Sequence, residues 1–295
     1  MKPRIAVVGS LVDELAGAPV LHFETPRQAL EARAGLVVMR EADWARSRDE
    51  APAGAVCALV IASPGREVYG QYLRDLRVRH LLGEGSSLRA ELGSMVALAT
   101  GQTPFSATSL GLGALGMSLR LRSSAEEPAL LTRATEFAHG AGARGRAAQN
   151  WLDALSETVT NAVYNAPRAG DEALFEGLHR RHAVTLDERH AVEVNLFATA
   201  QDLSFEVADA FGSLTPEHFQ RYLGGSLSRA PAKAIEKPGG AGLGLMMMFD
   251  RLERLVAMVD PGHRTSMVGV GPLSYGHSRE RGRTVQFFKG PMRRG

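Results

Sequence analysis

The sequence predicts an α/β fold in two parts, with a parallel sheet in the first third and an α+β arrangement in the second half. Three observations carry this expectation. Short runs rich in Val, Ile and Leu alternate with helix-compatible segments as far as Thr100. A length of 295 residues suits about two domains of roughly 150 residues each. The second half contains a helix with one polar stripe, alternating strands, and a glycine cluster leading directly into an apolar helix.

In chain order, the apolar runs are Ile5–Val8, Val20–Phe23, Leu36–Met39, Val56–Ala62 and, more weakly, Val78–Leu82. Strands that are apolar throughout belong to parallel sheets covered on both faces. Helix-compatible segments lie between several of them, at Pro26–Arg33, Glu67–Leu76 and Ser87–Thr100. Over residues 1–102 this order resembles a flavodoxin-like receiver domain of a response regulator. The residues that make a receiver a switch do not carry over. Gly9 and Ser10 follow the first strand where acidic residues are needed, and Asp13 and Glu14 come later. Met39 and Arg40 occupy the place of the phosphoacceptor aspartate, and Gly83 and Glu84 that of the lysine. Ser63 alone fits, at the hydroxyl position. Without a carboxylate cluster there is no Mg²⁺ site. The resemblance therefore implies a pseudo-receiver suited to docking or dimerisation; an unrelated flavodoxin-like domain is the alternative.

Composition narrows the class. Hydrophobic residues make up 44% and charged residues 22%, the proportions of a globular chain with a real core. The net charge of +2 is too balanced to point to nucleic acid or an anionic membrane as partner. The single cysteine, Cys57, lies in an apolar run and reads as a buried small hydrophobe in a reducing compartment. Arg4 interrupts the start of the chain, so no signal-peptide pattern is expected there. No uncharged stretch reaches membrane-spanning length. A cytoplasmic location follows as the expectation.

Residues 103–146 are expected to be a linker with a helical segment. Gly101–Phe105 is turn-forming. Gly111–Gly116 spells a dinucleotide-binding GxGxxG, but that fingerprint needs a strand before it and a helix opening from it, and Gln102–Ser109 is polar and broken by Pro104. Glu126–His139 reads as a helix. His139 sits at its end, followed by Gly140, as a histidine meeting the helix dipole does; a phosphoacceptor histidine would sit mid-helix.

The chemistry concentrates in three later stretches. Between Asp153 and Pro167, at about 100° per residue, Glu157, Asn161 and Asn165 fall within about 80° of one another. Leu152, Leu155, Val159, Ala162, Val163 and Ala166 lie opposite. Asn is a poor helix former, so two on one stripe suggest a task. A carboxamide oxygen suits Mg²⁺, and a carboxylate one turn away can orient or deprotonate an attacking group. Leu203–Val207 alternates as a half-buried strand, with Ala191–Ala198 as partner, and ends at Asp209, whose carboxylate can accept from an exocyclic amine. Finally, Pro238–Leu245 precedes Met246–Phe249. Glycines opening a helix bring bare N–H groups to a phosphate, although no Walker lysine follows.

Together with Arg283–Phe287 on a last strand, these motifs over residues 147–295 resemble the GHKL (histidine-kinase-like) ATPase domain of anti-sigma-factor serine kinases and sensor kinases. The resemblance implies an α/β sandwich with a mixed sheet and helices on one face. It implies a site for ATP or ADP with Mg²⁺. Asn161 would hold the metal, Asn165 would face the phosphates, and Glu157 would be the general base. Asp209 with Gly212 would read adenine, Gly240, Gly242, Leu243, Gly244 and Leu245 would frame the phosphates, and Thr284 would support the adenine side. Ser213–Gly239 would form a mobile lid, in which Lys233 and Lys237 are candidate phosphate contacts.

One departure stands out. The family's Asp-x-Gly-x-Gly turn has Phe211 at its first glycine. Phe211 either turns into the core, leaving the turn to Gly212, or fills the pocket. The implied function is a cytoplasmic signalling protein that binds Mg²⁺-ATP and acts as a kinase or phosphotransfer regulator on a partner protein, compatible with a homodimer. The alternative is a non-catalytic pseudo-kinase scaffold. A Rossmann-type oxidoreductase lacks its structural context.

Overall fold

The computed structural model describes residues 4–15, 18–62, 65–170, 172–175, 178, 182–227, 243–275 and 282–291. The first third forms five parallel strands: β1 (Ile5–Val8), β2 (Leu21–Phe23), β3 (Leu36–Arg40), β4 (Cys57–Ile61) and β5 (Val78–Gly83). They lie side by side in the order β2-β1-β3-β4-β5. Helices α1 (Pro26–Glu31), α2 (Glu41–Ser47) and α3 (Arg66–Tyr72) pack on one face and α4 (Leu88–Ala99) on the other. Thr25 caps α1 with a full capping box, its hydroxyl accepting from Gln28 N–H, which fixes where the helix begins. The expected strands and three helices are present; α2 is additional.

The chain then builds β6 (Ala114–Leu121), α5 (Glu127–Gly140) and α6 (Gly145–Thr160), followed by a short hairpin of β7 (Arg168–Ala169) and β8 (Glu172–Ala173). Next come β9 (Val192–Ala198), β10 (Asp202–Asp209), α7 (Pro216–Leu227), α8 (Leu243–Arg251), β11 (Arg254–Asp260), β12 (Arg264–Pro272) and β13 (Thr284–Lys289). Residues 103–146 are thus more than a linker: β6 is the outer strand beside β9, and α5 packs on α6. Gly111 and Gly113 lead into a strand, with φ of 71° and 95°, so the GxGxxG run lacks the helix that a dinucleotide fold requires.

The two parts share one mixed sheet of eleven strands. Its order continues from β5 through β13-β11-β12-β10-β9-β6. The seam is the antiparallel pair β13–β5, with Val285 opposite Leu81. At its end Gly83 and Gly282 meet backbone to backbone, and a Cβ on either would overlap the other's main chain. One buried apolar cluster runs under α1–α3 and α5–α8 across the seam without interruption. Gln220 of α7 donates to Val78 O (2.5 Å) of the first part, and Arg66 of α3 pairs with Asp250 of α8 at 3.4 Å. Among the described residues no helix is long and apolar enough to cross a membrane. Cys57 is fully buried, and burial pushes its thiol up to about 12, so it stays a protonated hydrophobe.

Candidate functional site

Helix α6 buries Trp151, Leu155 and Val159 against the sheet and turns Glu157 away from that core. At its end the backbone widens into a π-turn over Asn161–Asn165, with Ala166 N–H donating to Asn161 O (3.1 Å). Such π-turns frequently mark functional sites. Here the turn keeps the polar stripe in line. Asn165 Nδ2 donates to Asn161 Oδ1 (2.7 Å), and Asn161 Nδ2 donates to Glu157 Oε1 (3.3 Å). Asn161 Oδ1 keeps a second lone pair.

Strand β10 ends at Asp209, which is only 6% exposed. Its Oδ1 accepts from the N–H groups of Phe211 (2.9 Å) and Gly212 (3.4 Å). Burial pushes the carboxyl up to about 6; the two N–H groups, the Thr265 hydroxyl and the Arg264 charge pull the other way. Gly212 makes the turn with φ of 57°, and a Cβ there would overlap Asp260 O. Phe211 is half-buried rather than in the core. Its ring stacks on His190, with centroids 4.7 Å apart and planes at 23°, and His190 Nδ1 lies 2.9 Å from Asp187. The turn reaches back to the π-turn through Ser213 Oγ, which donates to Ala166 O (3.1 Å).

The third component is the start of α8. Gly244 lies against Glu157 so closely that a Cβ would overlap the carboxylate. A side chain there would have to push the Glu157 carboxylate out of its place. Leu245 is half-buried against the same core. The structure therefore brings together Glu157, Asn161, Asn165, Asp209, Gly212, Gly244 and Leu245. Gly240, Gly242, Lys233 and Lys237 lie outside the described residues, as do Ser63 and the side chain of Leu243.

Two expectations change. Thr284 is not near Asp209. It is buried on the opposite face of the sheet, and its hydroxyl donates to Glu91 of α4. The threonine directly paired with Asp209 is Thr265 on β12. The reason is that β13 sits at the seam, two strands away from β12. Local pattern could not have found Thr265: the Pro261-Gly262 turn between two apolar runs marks the β11–β12 hairpin, but the pairing of β12 with β10 joins distant parts of the chain. Likewise, the expected lid Ser213–Gly239 is in its first part the packed helix α7, with Phe219, Leu223 and Leu227 buried; residues 228–239 lie outside the described residues.

In the first part, the ends of β3 and β5 hold Arg40 and Glu84 as an ion pair at 2.6 Å. These are the positions where a receiver carries its aspartate and lysine, here with the charges exchanged. His139 lies in the last turn of α5, as expected for a helix-end histidine.

The residues present fit a Mg²⁺-nucleotide in three respects. A buried carboxylate ends a strand, a carboxamide oxygen stands one turn from a carboxylate, and backbone without a side chain opens a helix beside them. No group of three His, Cys, Asp or Glu that could hold a metal alone occurs among the described residues. Magnesium bound with phosphates needs only one or two protein ligands. Comparison of the sequence with protein-family models and with curated proteins finds no match in either.

Proposed function

We propose that the chain is a signalling protein whose second half binds Mg²⁺-ATP in a GHKL-type site and acts on a partner protein as a kinase or phosphotransfer regulator. The observation that carries this reading is the convergence of Glu157 and Asn161 on α6, Asp209 at the end of β10, and Gly244 at the start of α8. Three separate segments offer the kinds of group such a site needs: a carboxylate to read an amine, an oxygen donor for the metal, and a glycine at a helix start for phosphate. ATP would supply the transferable phosphoryl group.

The chain's own residues would do the rest. Asp209 would accept from the adenine amine, with Thr265 rather than Thr284 beside it. Asn161 would hold the metal through Oδ1, with Asn165 fixing its orientation. Glu157 would take the proton from an acceptor hydroxyl on the partner. The parallel order β2-β1-β3-β4-β5 supports a flavodoxin-like first part, and the Arg40–Glu84 pair supports its role as a pseudo-receiver for docking, within a cytoplasmic protein that forms a homodimer or a partner complex.

A second reading, a pseudo-kinase scaffold, is favoured by Phe211, which replaces the glycine that lets a nucleotide approach closely. Calorimetric titration of ATP with Mg²⁺ separates the two. Binding that Asn161→Ala and Asp209→Ala each weaken at least about ten-fold supports the first. Absence of binding at millimolar ATP overturns it and leaves the scaffold.

A further inference from the structure

Phe211 stands in the turn that closes around the Asp209 carboxylate. Its N–H donates to Asp209 Oδ1 (2.9 Å), so its side chain leaves the backbone beside that carboxylate. Asp209 is 6% exposed. A ligand that reaches it must share the remaining opening with whatever stands next to the turn. A phenylalanine ring has three staggered positions about χ1, and the one observed here is in contact with His190.

The sheet itself brings His190 to that place. The β9–β10 register pairs Glu193 with Ala208; continued three residues further, it sets His190 opposite Phe211. Aromatic rings facing each other across neighbouring strands attract beyond the area they bury. Asp187 braces the imidazole at two points. Its Oδ1 accepts from the His190 N–H (3.0 Å) and lies 2.9 Å from His190 Nδ1. Arg189 stands 3.5 Å from the other carboxylate oxygen. Just before this brace, Leu186 N–H donates to Arg122 O (2.7 Å), which ties the segment to the end of β6.

Both rings are half-buried, so the stack adds little to the core; its main effect is on where the Phe211 ring points. We infer that His190, braced by Asp187, is a positioning residue of the nucleotide site. By stacking on Phe211 it holds that ring off the Asp209 carboxylate and leaves room there for a purine base. This inference rests on the ATP reading above and deepens it, because it makes a bulky residue at the turn compatible with binding. Without the imidazole the ring is free to take its other rotamers and to compete with the base for the space beside Asp209.

The test is calorimetric titration of ATP with Mg²⁺ into the full chain and a set of variants. His190→Ala should weaken binding about five-fold, and Asp187→Ala, which frees the imidazole, should act in the same direction. His190→Phe keeps a ring for the stack and should bind as the wild type does. Phe211→Gly has no ring to hold. It should bind at least as tightly as the wild type, and adding His190→Ala to it should change affinity by less than about two-fold. A purely structural role for His190 would carry the full loss into the Phe211→Gly background, and that result overturns the inference. So does a His190→Ala variant that binds like the wild type, which leaves the ATP reading standing. Binding by Phe211→Gly but not by the wild type also overturns it, because the ring then blocks the site and the natural chain is the scaffold. Binding by neither overturns the ATP reading itself, and this inference falls with it.

Discussion

At the ends of β3 and β5, Arg40 and Glu84 satisfy each other on the surface, with about two-fifths of each side chain exposed. At the end of β10, by contrast, Asp209 is buried and forms no ion pair of its own among the described residues, and burial pushes it toward protonation against two N–H groups, the Thr265 hydroxyl and the Arg264 charge. Both places lie where strands end and ligands are usually held. The first has spent its charges on itself and is chemically closed. The second keeps a carboxylate that the fold alone does not stabilise, with a carboxylate–carboxamide row beside it. The difference separates a pair of charges that satisfy each other from a buried carboxylate that burial pushes toward protonation.

Five substitutions break or sharpen that contrast. Gly244→Val should have the largest effect, because the new side chain must displace Glu157. Binding of a fluorescent ATP analogue should fall by at least about 100-fold, with the far-ultraviolet circular dichroism retained.

Asp209→Asn should divide stability from function. The folded-state pKa of Asp209 is raised from 3.8 to about 6, so the folded state binds more protons between those values. Its contribution is present at low pH and lost as pH rises from about 4 to about 6, amounting to about 3 kcal/mol. Urea unfolding at several pH values should show this fall in the wild type and a flatter curve in Asp209→Asn. The variant should be the more stable form at pH 7 and the weaker ATP binder.

Thr265→Val and Thr284→Val should act in opposite columns. The first should weaken ATP binding about ten-fold with little change in stability. The second should leave binding intact and cost about 1–3 kcal/mol, because Glu91 loses its buried partner. Denaturant midpoints and calorimetry on both variants check this. The smallest effect is expected from Arg40→Ala: an exposed pair contributes about 0–1 kcal/mol, and ATP affinity should stay within about two-fold. A large loss of binding there would mean that the first part contributes to the site.

The five parallel strands were legible because each is a short apolar run between turn residues, and Ile5–Val8 is buried along its whole length. Helix α2 was not, since only Trp44 and Ser47 of its seven residues are buried and the periodicity is too weak to read. Helix α7 carried Phe219, Leu223 and Leu227 at helical spacing, but Gly224, Gly225 and the serines around them resemble a loop. The polar stripe of α6 was legible from period alone; the π-turn that carries it past Asn161 was not, because no residue type encodes it. Thr284 was misplaced for a different reason. That β13 pairs with β5 is a contact between distant parts of the chain, and local pattern says nothing about it.

The Gly83–Gly282 seam has a consequence for how the chain folds. Strand β5 finds its second neighbour only when residues about 200 positions later arrive, a loop whose closure is slow. During synthesis the first five strands are complete long before β13 exists, and β5, paired with β4 on one side, waits with the N–H and C=O groups of its other edge unpaired. An open strand edge recruits other chains. Arrival of β13 would end that exposure, so truncation before Thr284 should yield a chain that aggregates through β5 rather than a free-standing first half.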